Sequence, residues 1–198
     1  ICRDFPILKR QMRGKPFIYL DNSATSLKPQ QVIDAEMHYY TDLSSNIHRG
    51  VYEFSEQATI EYDEARAKVR AFIRAPESGH VVFTRGATEA MNIVAFGWGR
   101  KVIQEGDEIV LSELEHHANF VPWQRLAEEK GATLKFIPMN PEDATLDLSD
   151  LENLITDRTR VVAISAMSNV TGYMPPLDRI LTVARARGAV TVVDAAQL

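Results

Sequence analysis

The sequence is poor in cysteine: Cys2 is the only one in 198 residues. A lone cysteine forms no internal disulfide and no cysteine-built metal site. Cysteine poverty also fits a reducing cytoplasm, which is the expected location. Positive charge is in deficit. Lys and Arg number 22 against 27 Asp and Glu, for a formal net charge of −5. With no basic surplus to hold a phosphate backbone, no nucleic-acid partner is expected. Long apolar runs are missing as well. Stretches such as Val161–Ile164 are strand-sized, so no membrane partner is expected either. The N-terminal Ile1-Cys2-Arg3-Asp4-Phe5 lacks the pattern of a signal peptide. Ten Gly and nine Pro are too few for a collagen-like or low-complexity chain.

What remains is a hydrophobic content of 45% and a charged content of 25%, enough apolar material to bury a real core. The first 75 residues read as an N-terminal arm with helices. Gly14-Lys15-Pro16 marks a turn, Phe17–Leu20 a short strand, and Asp21–Ser26 a polar loop. Pro29 opens a helix carrying Val32, Ile33, Met37 and Tyr40. Ser44–Gly50 is a loop, and a long amphipathic helix runs from Ser55, as N-cap, to Phe72.

Residues 76–198 change pattern. Strands are predicted at Val81–Thr84, Glu108–Leu111, Thr133–Ile137, Arg160–Ala166 and Val190–Asp194. Helices at Thr88–Trp98, Val121–Lys130, Leu148–Leu154 and Leu177–Arg187 alternate with them. Gly131 and Gly188 sit where C-cap glycines belong. Such alternation means an α/β fold with a mainly parallel sheet and flanking helices. Ligands of such sheets bind beyond the carboxyl ends of the strands, so chemistry belongs in the loops that follow them.

Four of those loops carry candidate groups. In Arg85-Gly86-Ala87-Thr88-Glu89 a helix start offers backbone N–H groups to a phosphate; the plainer alternative is a capped helix. The sequence matches neither a Walker A loop nor a Rossmann dinucleotide loop. Glu115-His116-His117-Ala118-Asn119 offers an imidazole, with too few matched ligands for a metal site. Asn169 is either an amide donor to a ligand oxygen or a turn residue. Asp194 ends an apolar strand, where a carboxylate is costly unless paired by a salt bridge, a helix N-cap or a protonated ring nitrogen. Taken jointly, a phosphate cradle, an imidazole, an amide donor and an anion at one sheet edge are what pyridoxal 5'-phosphate needs.

These loops carry a resemblance. The blocks Tyr19-Leu20-Asp21-Asn22-Ser23-Ala24, Asn46-Ile47-His48-Arg49-Gly50, Phe83-Thr84-Arg85-Gly86-Ala87-Thr88-Glu89, Glu115-His116-His117-Ala118-Asn119, Val121-Pro122-Trp123-Gln124, Ser168-Asn169-Val170-Thr171-Gly172 and Val193-Asp194-Ala195-Ala196-Gln197 resemble class V aminotransferases of fold-type I. The subgroup they resemble most is the cysteine desulfurases of the SufS/CsdA (selenocysteine lyase) type.

The resemblance implies roles position by position. Ala87 and Thr88 match the phosphate cradle. His116 matches the catalytic imidazole that stacks on the cofactor ring and relays protons. Asn169 and Gln197 match side chains near cofactor and substrate oxygens, and Asp194 the carboxylate that keeps the pyridine nitrogen protonated. Asn22, Ala24, His48 and Arg49 match loops of the active-site entrance. The implied reaction takes sulfur from L-cysteine, with L-selenocysteine as the other implied substrate, leaves L-alanine and an enzyme persulfide, and serves iron–sulfur cluster assembly or sulfur transfer. A homodimer and a sulfur-acceptor protein are implied partners.

The family's Schiff-base lysine lies in a Ser-Gly-His-Lys motif beyond the segment matching Asp194–Gln197, and none of the seven lysines here has that context. Cys2 is at the wrong end to be the nucleophile. The expectation is the N-terminal part of an enzyme, inactive alone. Two alternatives stay open: another class V enzyme (aminotransferase, epimerase or kynureninase-like lyase), or a non-catalytic α/β partner-binding module.

Overall fold

The computed structural model describes residues 1–198. The chain forms two compact units, Ile1–Phe83 and Thr84–Leu198.

In the first unit two short 3₁₀ turns precede a hairpin of β1 (Gln11–Met12) and β2 (Lys15–Pro16). Its turn, Arg13-Gly14, has positive φ at both residues, which Gly14 accepts without strain. The strand predicted at Phe17–Leu20 does not form. That segment is extended but pairs with no strand, and Ile18 and Leu20 lie exposed. Apolar alternation specifies an extended backbone; a strand also needs a partner for its N–H and C=O groups. Pro29 is the N-cap of α1 (Gln30–His38), which passes into a π-helical segment, Tyr39–Leu43.

Helix α2 spans Glu53–Phe72 with Tyr52 as N-cap, so Ser55 is not the cap the sequence suggested. Ser55 sits in the first turn, buried, and its hydroxyl donates to the Asn46 carbonyl at 2.5 Å. A side chain on Gly50 would collide with Ser55, so the glycine lets the loop Asn46–Gly50 lie against the helix start. Arg66 of α2 stacks 5.0 Å over Tyr62 and 5.5 Å from the Phe83 ring and donates to the Val81 carbonyl. The strand predicted at Val81–Thr84 does not form: the segment joins no ladder, and the Val81 carbonyl accepts from a side chain instead of a neighbouring strand.

The second unit is the α/β part. Helix α3 (Ala87–Asn92) continues through a π-helical stretch, Ile93–Gly99, into α4 (Arg100–Val102). There follow β3 (Glu108–Ser112), α5 (His117–Lys130), β4 (Thr133–Ile137), α6 (Leu151–Leu154), β5 (Thr159–Ser165), α7 (Leu177–Ala186) and β6 (Val190–Asp194). The four strands are all parallel, in the order β4-β3-β5-β6. This meets the expected fold class.

Strand parity splits the core. Val110, Val162 and Ile164 pack on one face with Ile180 and Ala184 of α7 and Leu151 of α6. Ile109, Leu111, Val161 and Ala163 pack on the other with Trp123 and Leu126 of α5 and Ala95. Burial on both faces explains why these strands read as continuous apolar runs in the sequence.

Helix α5 starts four residues earlier than predicted, so the His116-His117 pair lies at a helix start and not on a strand end. Its C-cap is Gly131 at φ 69°, where an added Cβ would also meet the Glu105 Cγ at 3.2 Å. Gly131→Ala in the native protein is expected to cost about 1 kcal/mol, read from the midpoint of denaturant unfolding. No helix of the chain is long and apolar enough to cross a membrane.

Candidate active site

The loops after β3, β5 and β6 meet at the carboxyl edge of the sheet, because these strands are neighbours. Ser165, last in β5, is in register with Asp194, last in β6, and the Ala166 N–H donates to the Asp194 carbonyl at 2.7 Å. Both serines that end β3 and β5, Ser112 and Ser165, bond to Glu115 in the β3–α5 corner. The polar groups after three strands therefore form one connected edge.

His116 is the N-cap of α5. Its Nδ1 accepts from the Ala118 N–H at 3.1 Å, one of the amides that a helix start leaves without a partner. His117 is the first helical residue; the two rings lie 6.1 Å apart at 70°. His116 and Thr88 line the same cavity of about 270 Å³, together with Asn92, Phe96, Pro122 and Arg125.

Ala87 and Thr88 are the first two residues of α3, with Gly86 as N-cap, so their N–H groups precede the helical ladder. Thr88 is not the cap. Glu89 ties back to Arg85, accepting from its backbone N–H at 2.7 Å and its guanidinium at 2.9 Å. The side-chain and then the backbone hydrogen bonds from Arg85 hold the Glu89 carboxyl below the ordinary range. The helix start is thus stapled from the acidic side while Thr88 stays exposed toward the cavity.

Asp194 is 5% exposed. Its carboxylate accepts from the Ala196 N–H at 3.0 Å and forms no ion pair. The salt bridge and helix cap that would have explained it in purely structural terms are both absent. A buried carboxylate without a cation suits a ligand that brings one, such as a protonated ring nitrogen. Asn169 lies exposed in the turn after β5, where the Ser168 hydroxyl, and not Asn169, takes the Val170 and Thr171 N–H groups. Its amide is left for solvent or a ligand. Gln197 is half-buried three residues after Asp194. No group of three His, Cys, Asp or Glu side chains comes together as a metal-ligand set.

The remaining candidates belong to the first unit. Asn22 and Ala24 are exposed in the turn that follows Tyr19, and Asn22 lines a separate cavity with Cys2, Phe5 and Leu27. His48 and Arg49 are exposed in the loop before α2. His48 has φ 67°, its N–H donates to Thr59 Oγ1 at 2.8 Å, and its ring meets Tyr62 edge-on.

Sequence reasoning missed Glu115 and Ser165. The signal available was the i, i+4 spacing of Glu115 and Asn119 across the start of α5, which places their side chains within hydrogen-bond reach.

The aminotransferase class-V family profile matches residues 18–198. A protein of Mycolicibacterium paratuberculosis called a probable cysteine desulfurase is 49% identical over 197 residues, covering 100% of this chain and 29% of its own length. A cysteine desulfurase of Salmonella newport is 48% identical, covering 98% of this chain and 48% of its own. Among solved structures, the apo cysteine desulfurase of Thermococcus onnurineus superimposes with a TM-score of 0.89 at 39% identity, covering 99% of this chain and 46% of that one. Escherichia coli CsdA, a cysteine desulfurase in its S-sulfonic acid form, gives 0.85 at 40% identity, with 98% and 47% covered. The chain thus spans half or less of the length of these relatives.

Proposed function

Because the chain belongs to the aminotransferase class-V family, we propose that the protein carrying it is a pyridoxal-phosphate-dependent cysteine desulfurase. It converts L-cysteine and an enzyme thiol into L-alanine and an enzyme persulfide. The observation that carries this reading is Asp194: a buried carboxylate with no cation, at the strand edge that also holds the His116 corner.

Bound pyridoxal phosphate would supply an electron sink for the bond broken at the substrate Cα. Asp194 holds the proton on the ring nitrogen, which keeps that sink open. The Ala87 and Thr88 N–H groups and the Thr88 hydroxyl hold the phosphate. His116 supplies the imidazole beside the ring and moves a proton at its Nε2. Asn169 and Gln197 donate to the ring and substrate oxygens. For Asn22, Ala24, His48 and Arg49 the role proposed is the one the resemblance implies, in loops of the active-site entrance. This reading requires a lysine and a nucleophilic cysteine that residues 1–198 do not place at the cavity. A cytoplasmic homodimer passing its sulfur to an acceptor protein, for iron–sulfur cluster assembly, completes the proposal.

The test uses the full-length native protein loaded with pyridoxal phosphate. L-Cysteine is expected to yield alanine and, with reductant, an equal amount of sulfide. Formation of a keto acid that keeps the sulfur, with no alanine from cysteine and with the amino group passed to an added keto-acid acceptor, would overturn the desulfurase reading in favour of a class V aminotransferase.

A further inference from the structure

Glu115 has no part in the roles described so far, yet both of its oxygens accept twice. Oε1 takes the Ser112 hydroxyl at 2.5 Å and the Ser165 backbone N–H at 3.0 Å; Oε2 takes the Asn119 side-chain amide at 2.7 Å and the Ser165 hydroxyl at 2.6 Å. Those four donors come from the end of β3, the end of β5 and the first turn of α5. The residue that follows Glu115 is His116.

We propose that Glu115 is a positioning residue for His116: it locks the β3–α5 corner against β5, so that the imidazole caps α5 through Nδ1 and is held as the neutral Nε2–H tautomer. The tautomer follows from the cap. The Ala118 N–H donates to Nδ1, so Nδ1 presents its lone pair and the ring proton of the neutral form sits on Nε2. Without the clamp the corner can shift, the cap bond is weakened, and the proton is free to occupy either nitrogen. The link to catalysis rests on the desulfurase reading; the tautomer does not.

The site demands a carboxylate and rejects its amide. Asn119 Oδ1 accepts from the Trp123 indole N–H at 3.2 Å, and Trp123 is fully buried. That bond fixes which way the Asn119 amide faces and aims its NH₂ at Glu115. In Glu115→Gln, the new NH₂ must occupy one of the two oxygen positions. At the Oε1 position it faces the Ser165 backbone N–H, and at the Oε2 position it faces the Asn119 NH₂. Either way donor meets donor. The second conflict is removable: Trp123→Phe frees Asn119 to turn its oxygen toward the glutamine.

The experiment has two readouts on the full-length native protein. The first is the long-range ¹⁵N–¹H spectrum of the ¹⁵N-histidine-labelled cofactor-free form, with His116 assigned by His116→Gln. The wild type is expected to show the Nε2–H pattern. Glu115→Gln should shift His116 to a mixture with Nδ1–H, and Ser165→Ala, a milder change that leaves the backbone intact, should shift it the same way to a smaller extent. Glu115→Gln combined with Trp123→Phe should move the pattern back toward Nε2–H. The second readout is alanine release, where Glu115→Gln should lower kcat about tenfold with KM changed less than about twofold. A wild-type pattern for His116 in both Glu115→Gln and Ser165→Ala overturns the proposal, whatever the protein catalyses. A changed tautomer with an unchanged kcat overturns its catalytic part. Absence of alanine release by the wild type counts against the desulfurase reading alone, since the spectra still decide the role of Glu115.

Discussion

Asp194→Asn in the full-length native protein is expected to lower alanine release from cysteine by about 10³-fold, while the cofactor-free form loses no thermal stability. The two halves of this expectation come from one fact. The Asp194 carboxylate is 5% exposed, and it accepts a hydrogen bond from the Ala196 N–H but forms no ion pair. In the cofactor-free protein that hydrogen bond offsets the burial only in part, since no cation faces the charge, and a neutral amide of the same shape lessens the cost. In the proposed desulfurase the same carboxylate would be the anion that keeps the ring nitrogen protonated, a role an amide could not fill. Sites held at the expense of stability for the sake of chemistry behave this way. Parallel assays of alanine and of the cofactor-free melting temperature check it. Activity within about threefold of wild type, against that 10³-fold expectation, would remove Asp194 from its role.

The second large effect concerns stability. Lys135→Met is expected to destabilise the native protein by about 3 kcal/mol, whereas Glu108→Gln costs far less. Glu108, at the start of β3, is 1% exposed. Lys135 Nζ lies 2.9 Å from it, Arg158 donates at 3.1 Å, and Thr156 and Thr159 donate their hydroxyls at 2.6 and 3.2 Å. Removing Lys135 strands a buried negative charge with a mostly exposed arginine. Removing the charge itself leaves a lysine that still donates to the Leu154 carbonyl at 3.2 Å and can reach water.

Burial on its own would raise the Glu108 pKa. The hydrogen bonds from Thr156 and Lys135, and the lysine charge, outweigh it and hold the group below the ordinary glutamate value. A folded-state value lowered in this way gives stability that is complete above the ordinary value and is lost as pH falls through the lowered one. The gap between wild type and Lys135→Met should therefore be full at pH 7 and close in acid. A gap that persists unchanged at low pH would assign the effect to lost packing.

The parallel sheet was legible because its central strands, β3 and β5, are buried on both faces and its strands alternate with helices bounded by turn residues. Strands β4 and β6 match their predicted bounds, and Gly131 and Gly188 stop their helices with positive φ. The α/β fold with a parallel sheet follows from that alternation, whereas fold-type I was implied by the resemblance of the loop motifs. Phe17–Leu20 and Val81–Thr84 failed for one reason: apolar pattern reports extension, and pairing is a property of a neighbour that the local sequence does not name. The start of α5 was misplaced because two histidines and an asparagine are weak helix formers; His116 becomes a cap only through its own ring nitrogen. In the candidate site, Asp194 and Asn169 could be singled out from their places at and after strand ends. Glu115 could not, since its partners Ser112, Asn119 and Ser165 come from three separate elements.

The clamp around Glu108 and the corner around Glu115 stand at opposite ends of β3, a strand of five residues. At about 3.3 Å per residue they stand more than about 10 Å apart and share no hydrogen-bond partner, a separation at which stability effects add independently. Substitutions among Lys135, Arg158 and Thr156 can therefore retune heat tolerance with little coupling to the hydrogen bonds at the His116 edge. A lineage moving to a hotter or colder habitat has a dial at one rim of the sheet that does not disturb the other.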